Sequence, residues 1–68
     1  MSEAGVTPGL LLRIRGEFLE MPGMRLTLRQ AMRLWNLDAA TCEAALRYLV
    51  EHRVLSLTAQ GAFRRWEA

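Results

Sequence analysis

Few side chains in this chain of 68 residues have the type and spacing to do chemistry, and each of them also has a plainer role. Cys42 is the only cysteine and His52 the only histidine. A disulfide within the chain and a Cys/His zinc site are therefore both excluded. As a nucleophile, Cys42 would need an exposed thiolate of lowered pKa. Its spacing from Ala45, Leu46 and Leu49 instead sets it on the apolar face of a helix, where a small buried thiol is ordinary. His52 lies between Glu51 and Arg53, with no Ser, Cys or Asp placed in sequence to work with it; at a helix C-terminus an imidazolium favours the dipole. Glu17 and Glu20 have the one-turn spacing of a carboxylate pair for acid–base work. Without a cleft they are expected to be solvated partners of Arg13.

The arginines carry the remaining chemistry. All nine basic residues are arginine, against seven acidic residues, for a net charge of +2. The isoelectric point near 9.5 overstates this balance, because few groups titrate between the carboxylates and the guanidiniums. The absence of lysine fits a GC-rich bacterial coding sequence. What matters is placement. Arg25, Arg29 and Arg33 put +3 on one short segment, and Arg53, Arg64 and Arg65 against Glu67 put +2 near the C-terminus. Between them, Leu37 to His52 sums to −2, from Asp38, Glu43 and Glu51 against Arg47.

The elements that position these groups can be read from caps and periodicity. Thr7-Pro8 opens a helix, with threonine as N-cap and proline at the first helical position. Leu11, Ile14, Phe18 and Met21 give it one apolar face, and Pro22-Gly23 ends it. Arg25-Leu26-Thr27 is a stub of strand. Thr27 to Gln30 forms a capping box for a second, short helix with Leu28, Ala31, Met32 and Trp35 facing inward. Asn36-Leu37-Asp38 interrupts it, since asparagine tolerates a left-handed backbone and aspartate caps the next helix. Cys42, Ala45, Leu46, Leu49 and Val50 fit the helical template throughout, so a third helix runs from about Ala39 to His52. The period then changes to two: Val54–Thr58 and Ala62–Trp66 form a hairpin around Ala59-Gln60-Gly61.

Half of the residues are hydrophobic and about a quarter charged, the balance of a folded soluble domain and not of a disordered chain. The length suits one core and leaves no room for a large internal active site. No apolar run approaches a membrane span, and the first nine residues lack the basic start and apolar stretch of a secretory signal. The expectation is a cytoplasmic protein that is not an enzyme, with no cofactor and no metal. Residues 1–7 read as a disordered lead and 8–68 as a single domain.

The order helix, strand, helix, helix, strand, strand resembles the winged helix-turn-helix domain, a mainly α fold with a small β-hairpin (α+β). Asn36-Leu37-Asp38 before Thr41-Cys42-Glu43-Ala44-Ala45-Leu46-Arg47-Tyr48-Leu49 is similar to that family's turn and recognition helix, with Leu37, Cys42, Leu46 and Leu49 at core positions. The run from Glu20-Met21-Pro22-Gly23 through Leu26–Ala31 to Leu34-Trp35 resembles small uncharacterised bacterial proteins made of such a domain. The resemblance spans about Leu10 to Trp66. Two positions depart from it: Met32 can be aligned where the family has alanine, and Arg53 stands where it has glycine.

The resemblance implies a DNA-binding or DNA-associated regulatory module of transcription, with double-stranded DNA as partner. Arg29, Arg33, Thr41, Arg47, Tyr48, Gln60, Arg64 and Arg65 are the candidate contacts. Thr41 and Arg47 are the good base readers on the outward side of the third helix, whose other outward residues are Ala40, Glu43, Ala44 and Tyr48. Positive charge flanking this helix suits backbone contact better than base readout. The alternative is a protein-interaction module without DNA binding. In it Tyr48, Ala40, Ala44 and the apolar ends of the hairpin form a dimer or partner surface, with Phe63 and Trp66 on a last strand whose edge is free.

Overall fold

The computed structural model describes residues 5–67. The elements are α1 (Pro8–Glu20), β1 (Arg25–Thr27), α2 (Leu28–Trp35), α3 (Ala39–Glu51), β2 (Leu55–Leu57) and β3 (Ala62–Arg65). This is an α+β fold of three helices and one antiparallel sheet, in the expected chain order. Of the expected lead over 1–7, residues 1–4 lie outside the described residues. Beyond them Val6 packs against the core and Thr7 already caps α1.

Each helix starts on the cap that the sequence offers. Thr7 Oγ1 accepts from the Leu10 amide at 3.1 Å, with Pro8 at the first turn. The capping box closes in both directions: Thr27 Oγ1 accepts from Gln30 N at 3.2 Å, and Gln30 Oε1 accepts from Thr27 N at 2.9 Å. Asp38 accepts from Thr41 N at 3.1 Å to open α3.

The helix ends turn on two left-handed residues. Asn36 (φ 54°) ends α2, and the Leu37 amide reaches back to the Met32 carbonyl at 2.9 Å. Arg53 (φ 59°) does the same for α3: Arg53 N bonds Val50 O at 3.0 Å and Val54 N bonds Leu49 O at 2.9 Å, a Schellman pair. A side chain at this φ costs on the order of 1 kcal/mol relative to glycine.

The sheet order is β1-β3-β2, so β3 is the central strand. Arg25, Leu26 and Thr27 pair with Arg64, Phe63 and Ala62; Leu55, Ser56 and Leu57 pair with Arg65, Arg64 and Phe63. The stub strand therefore completes the sheet, and the expected free edge on the last strand does not exist. Both flanks of β3 are satisfied.

Ile14, Phe18, Ala31, Trp35, Cys42, Ala45, Leu46, Leu49, Leu55 and Phe63 make one core. Leu46 is fully buried and Leu49 nearly so, as the best-fitting stripe requires. Phe18 and Trp35 meet tilted, with ring centroids 6.2 Å apart. Ala31 is fully buried while Met32 lies at the margin, so α2 turns a small residue inward. Met21 leaves the predicted apolar face: it is the C-cap of α1, with non-helical backbone, and stands exposed. Among the described residues no helix is long and apolar enough to cross a membrane.

Candidate nucleic-acid interface

The outward face of α3 is short of polar readers. Ala40, Glu43 and Arg47 are exposed, Ala44 is half-buried, and Glu51 is exposed one turn beyond Arg47. Arg47 Nη1 sits 3.6 Å from Glu43 Oε2, so the one outward guanidinium of the helix shares its charge with a carboxylate one turn back. Both side chains are largely solvated, which keeps this pair weak.

Thr41 does not belong to this face. It is 4% exposed, and a Cβ added at Gly5 would come within 3.3 Å of its Oγ1. Burying a threonine is tolerable because Asp38 accepts its hydrogen bonds. Those bonds, from the Thr41 side chain first and its backbone second, hold the Asp38 carboxyl below its ordinary value. The signal was available in sequence: in Asp38-x-x-Thr41 the cap can satisfy the threonine locally.

Tyr48 is exposed beside Arg47 and packs along the helix. Its ring stacks on His52 at a centroid distance of 4.0 Å, and His52 Nδ1 lies 2.9 Å from the Tyr48 carbonyl. Since a carbonyl only accepts, Nδ1 carries the proton in this bond. The imidazole thus caps the end of α3, the role that its place at the helix C-terminus suggests, while the stacking on Tyr48 is added by the fold.

The remaining basic candidates fall into separate places. Arg29 and Arg33 are exposed on α2 with no ion pair among the described residues, and exposed Arg25 precedes them on β1. Arg25 and Arg64 are opposite each other across β1 and β3, on one sheet face. Arg64 is paired with Glu67 at 3.1 Å. Arg65 lies opposite Leu55 and so projects on the helix-facing side of the sheet, with its Nε buried and unpartnered. Gln60 is exposed in the hairpin turn, which carries no arginine.

No family model matches the chain, and neither a curated protein nor a solved structure matches it.

Between α3 and the hairpin runs a groove of about 430 Å³, with Leu28, Val50, Leu57 and Phe63 as apolar lining and Glu43, Arg47 and Glu51 along its rim. Its rim carries two carboxylates against one guanidinium, so its charge is negative. The acid–base and nucleophile candidates gain nothing from the fold. Burial, and secondarily the Asp38 charge, push the Cys42 thiol up, away from thiolate chemistry. Glu17 is half-buried, Glu20 exposed, and neither forms the expected ion pair with Arg13. Among the described residues no group of three His, Cys, Asp or Glu could hold a metal.

Proposed function

We propose that the chain is a winged helix-turn-helix module that associates with duplex DNA through backbone phosphates, with low affinity and little base selectivity. The family reading is a fold-level analogy, supported by the element order and the β1-β3-β2 sheet. Separation of charge carries the functional step: Arg25, Arg29 and Arg33 are exposed and free of ion pairs among the described residues, whereas the outward arginine of α3 is matched by Glu43 and followed by Glu51. Guanidiniums that owe nothing to a carboxylate can replace the counterions of phosphates; an ion-paired one must first give up its partner.

Retardation of a random duplex across a salt series tests this. With about three phosphates neutralised, log K against log salt should slope at roughly −3. No retardation at low salt would overturn the proposal.

A second reading, contact with a protein segment, is favoured by the groove between α3 and the hairpin. Its apolar lining and acidic rim fit a segment of apolar side chains flanked by basic ones. A leucine–arginine peptide should then shift the Leu57 methyl signals, and its leucine–glutamate counterpart should not.

A further inference from the structure

At the end of the molecule away from the hairpin turn, α1, the turn after α3 and the end of β3 border an open, shallow cleft of about 250 Å³ lined by Arg15, Leu19, Arg53, Val54, Arg65 and Trp66. Three features set it apart. First, all of its charge has one sign: three arginines line it, no acidic residue does, and none of the three forms an ion pair among the described residues. Second, Arg65 Nε is buried without a hydrogen-bond partner, because the register opposite Leu55 sends this side chain to the helix-facing side of the sheet. A buried N–H of a cation with no acceptor is costly. Third, Arg53 is held in place by the fold. Arg53 occupies the left-handed residue that ends α3, and its guanidinium lies over the Trp66 ring, 5.5 Å from the centroid. Trp66 is tied in turn by its amide to the Val54 carbonyl at 3.0 Å.

Like charges gathered around one cleft repel one another, and an anion there would offset that repulsion while accepting from the exposed ends of the arginine side chains. We propose that this cleft is a binding site for the phosphomonoester group of a small molecule. A carboxylate brings one charge and two oxygens. A phosphomonoester brings close to two charges and three acceptor oxygens, matched to several guanidinium forks at once. Leu19, Val54 and the Trp66 ring, which is partly exposed, offer an apolar wall for the body that carries the phosphate. The cleft is smaller than the pockets that enclose drug-sized ligands, so it takes the phosphate head and a compact flat body. The proposed phosphate-backbone contact uses Arg25, Arg29 and Arg33, none of which lines this cleft, although Arg65 is one of the DNA-contact candidates of the sequence; competition with duplex DNA separates the two roles.

The test titrates the whole chain with phenyl phosphate at constant ionic strength, by calorimetry and by the arginine Nε–H signals. Saturable binding is expected, with the Nε–H signals of Arg15, Arg53 and Arg65 moving, that of Arg29 staying in place, and inorganic phosphate binding more weakly. Arg15→Gln and Arg65→Gln should each raise Kd by about tenfold or more, as loss of a charged hydrogen bond implies. Arg29→Gln should leave Kd unchanged. If Arg65→Gln loses its fold by circular dichroism, exposed Arg15 on α1 carries the comparison. No saturation by about 10 mM ligand would overturn the site. So would benzoate binding as tightly as phenyl phosphate, or an equal loss in Arg29→Gln. Displacement of phenyl phosphate by equimolar duplex DNA would overturn it as a small-molecule site and give these arginines to the nucleic acid.

Discussion

Leu55 and Arg65 stand opposite each other across β2 and β3, so a fully buried leucine and an arginine leave the same face of the sheet. Arg64, their neighbour, leaves the other face, where it meets Arg25 across the ladder and Glu67 along the chain. Two adjacent arginines thus belong to different surfaces. One is half-buried and ion-paired, the other has its Nε buried without an acceptor.

Leu46→Ala should destabilise the fold by about 2–5 kcal/mol, since the side chain is fully buried in the core and its loss leaves a cavity. That is comparable to the whole stability of a domain of this size. Urea unfolding followed by circular dichroism measures it. An unchanged midpoint would remove the packing described for α3.

The helices were legible in the sequence because each carries its own start and stop. Thr7, Thr27 and Asp38 cap over three residues, and Asn36 and Arg53 end helices through local backbone geometry. The sheet was only half legible. A hairpin announces itself through Gly61 and alternation, whereas nothing within Arg25-Leu26-Thr27 says that its partner lies nearly forty residues on, at Arg64, Phe63 and Ala62. Thr41 was misplaced because its polarity argued for solvent while Asp38 satisfied it locally. The cleft around Arg65 was hidden for a related reason. Alternation from buried Phe63 sends Arg65 inward, but only the fold brings Arg15 and Arg53 beside it.

Arg53→Gly should be more stable than Arg53→Ala by about 1 kcal/mol. Both variants lose the contact with the Trp66 ring. Only glycine relieves the left-handed backbone at φ 59°. The comparison of melting temperatures therefore isolates strain from side-chain contact. Equal melting temperatures would mean that the turn rearranges.

Acid should weaken α3 through its cap. The folded Asp38 carboxyl titrates below its ordinary 3.8, held there by hydrogen bonds from Thr41. Its contribution is therefore complete above the unfolded value and is lost as pH falls through the lower, folded one. Asp38→Asn keeps an N-cap but cannot titrate. The stability gap between the two proteins should be constant near neutrality and shift against the native chain below about pH 4. A gap that stays constant down to strong acid would show that Asp38 takes no part in the acid limb.

Phosphate contact and base readout predict opposite ranks for arginine substitutions on duplex DNA. If the exposed arginines of α2 hold the backbone, Arg29→Gln and Arg33→Gln should each weaken binding on every sequence alike and reduce the salt slope by about 1. Arg47→Ala should change little, because this guanidinium starts beside Glu43 and the neighbouring Ala40 and Ala44 offer no second reader. A base-reading Arg47 would instead cost about 1–3 kcal/mol on a preferred sequence and relax selectivity there. Glu43→Gln sharpens the comparison. It frees Arg47 and removes a negative charge from the rim of the groove, so a duplex lying against α3 should bind the variant more tightly. If affinity does not move while Arg29→Gln still weakens it, the duplex lies against α2 and the α3–hairpin groove is left open to another partner.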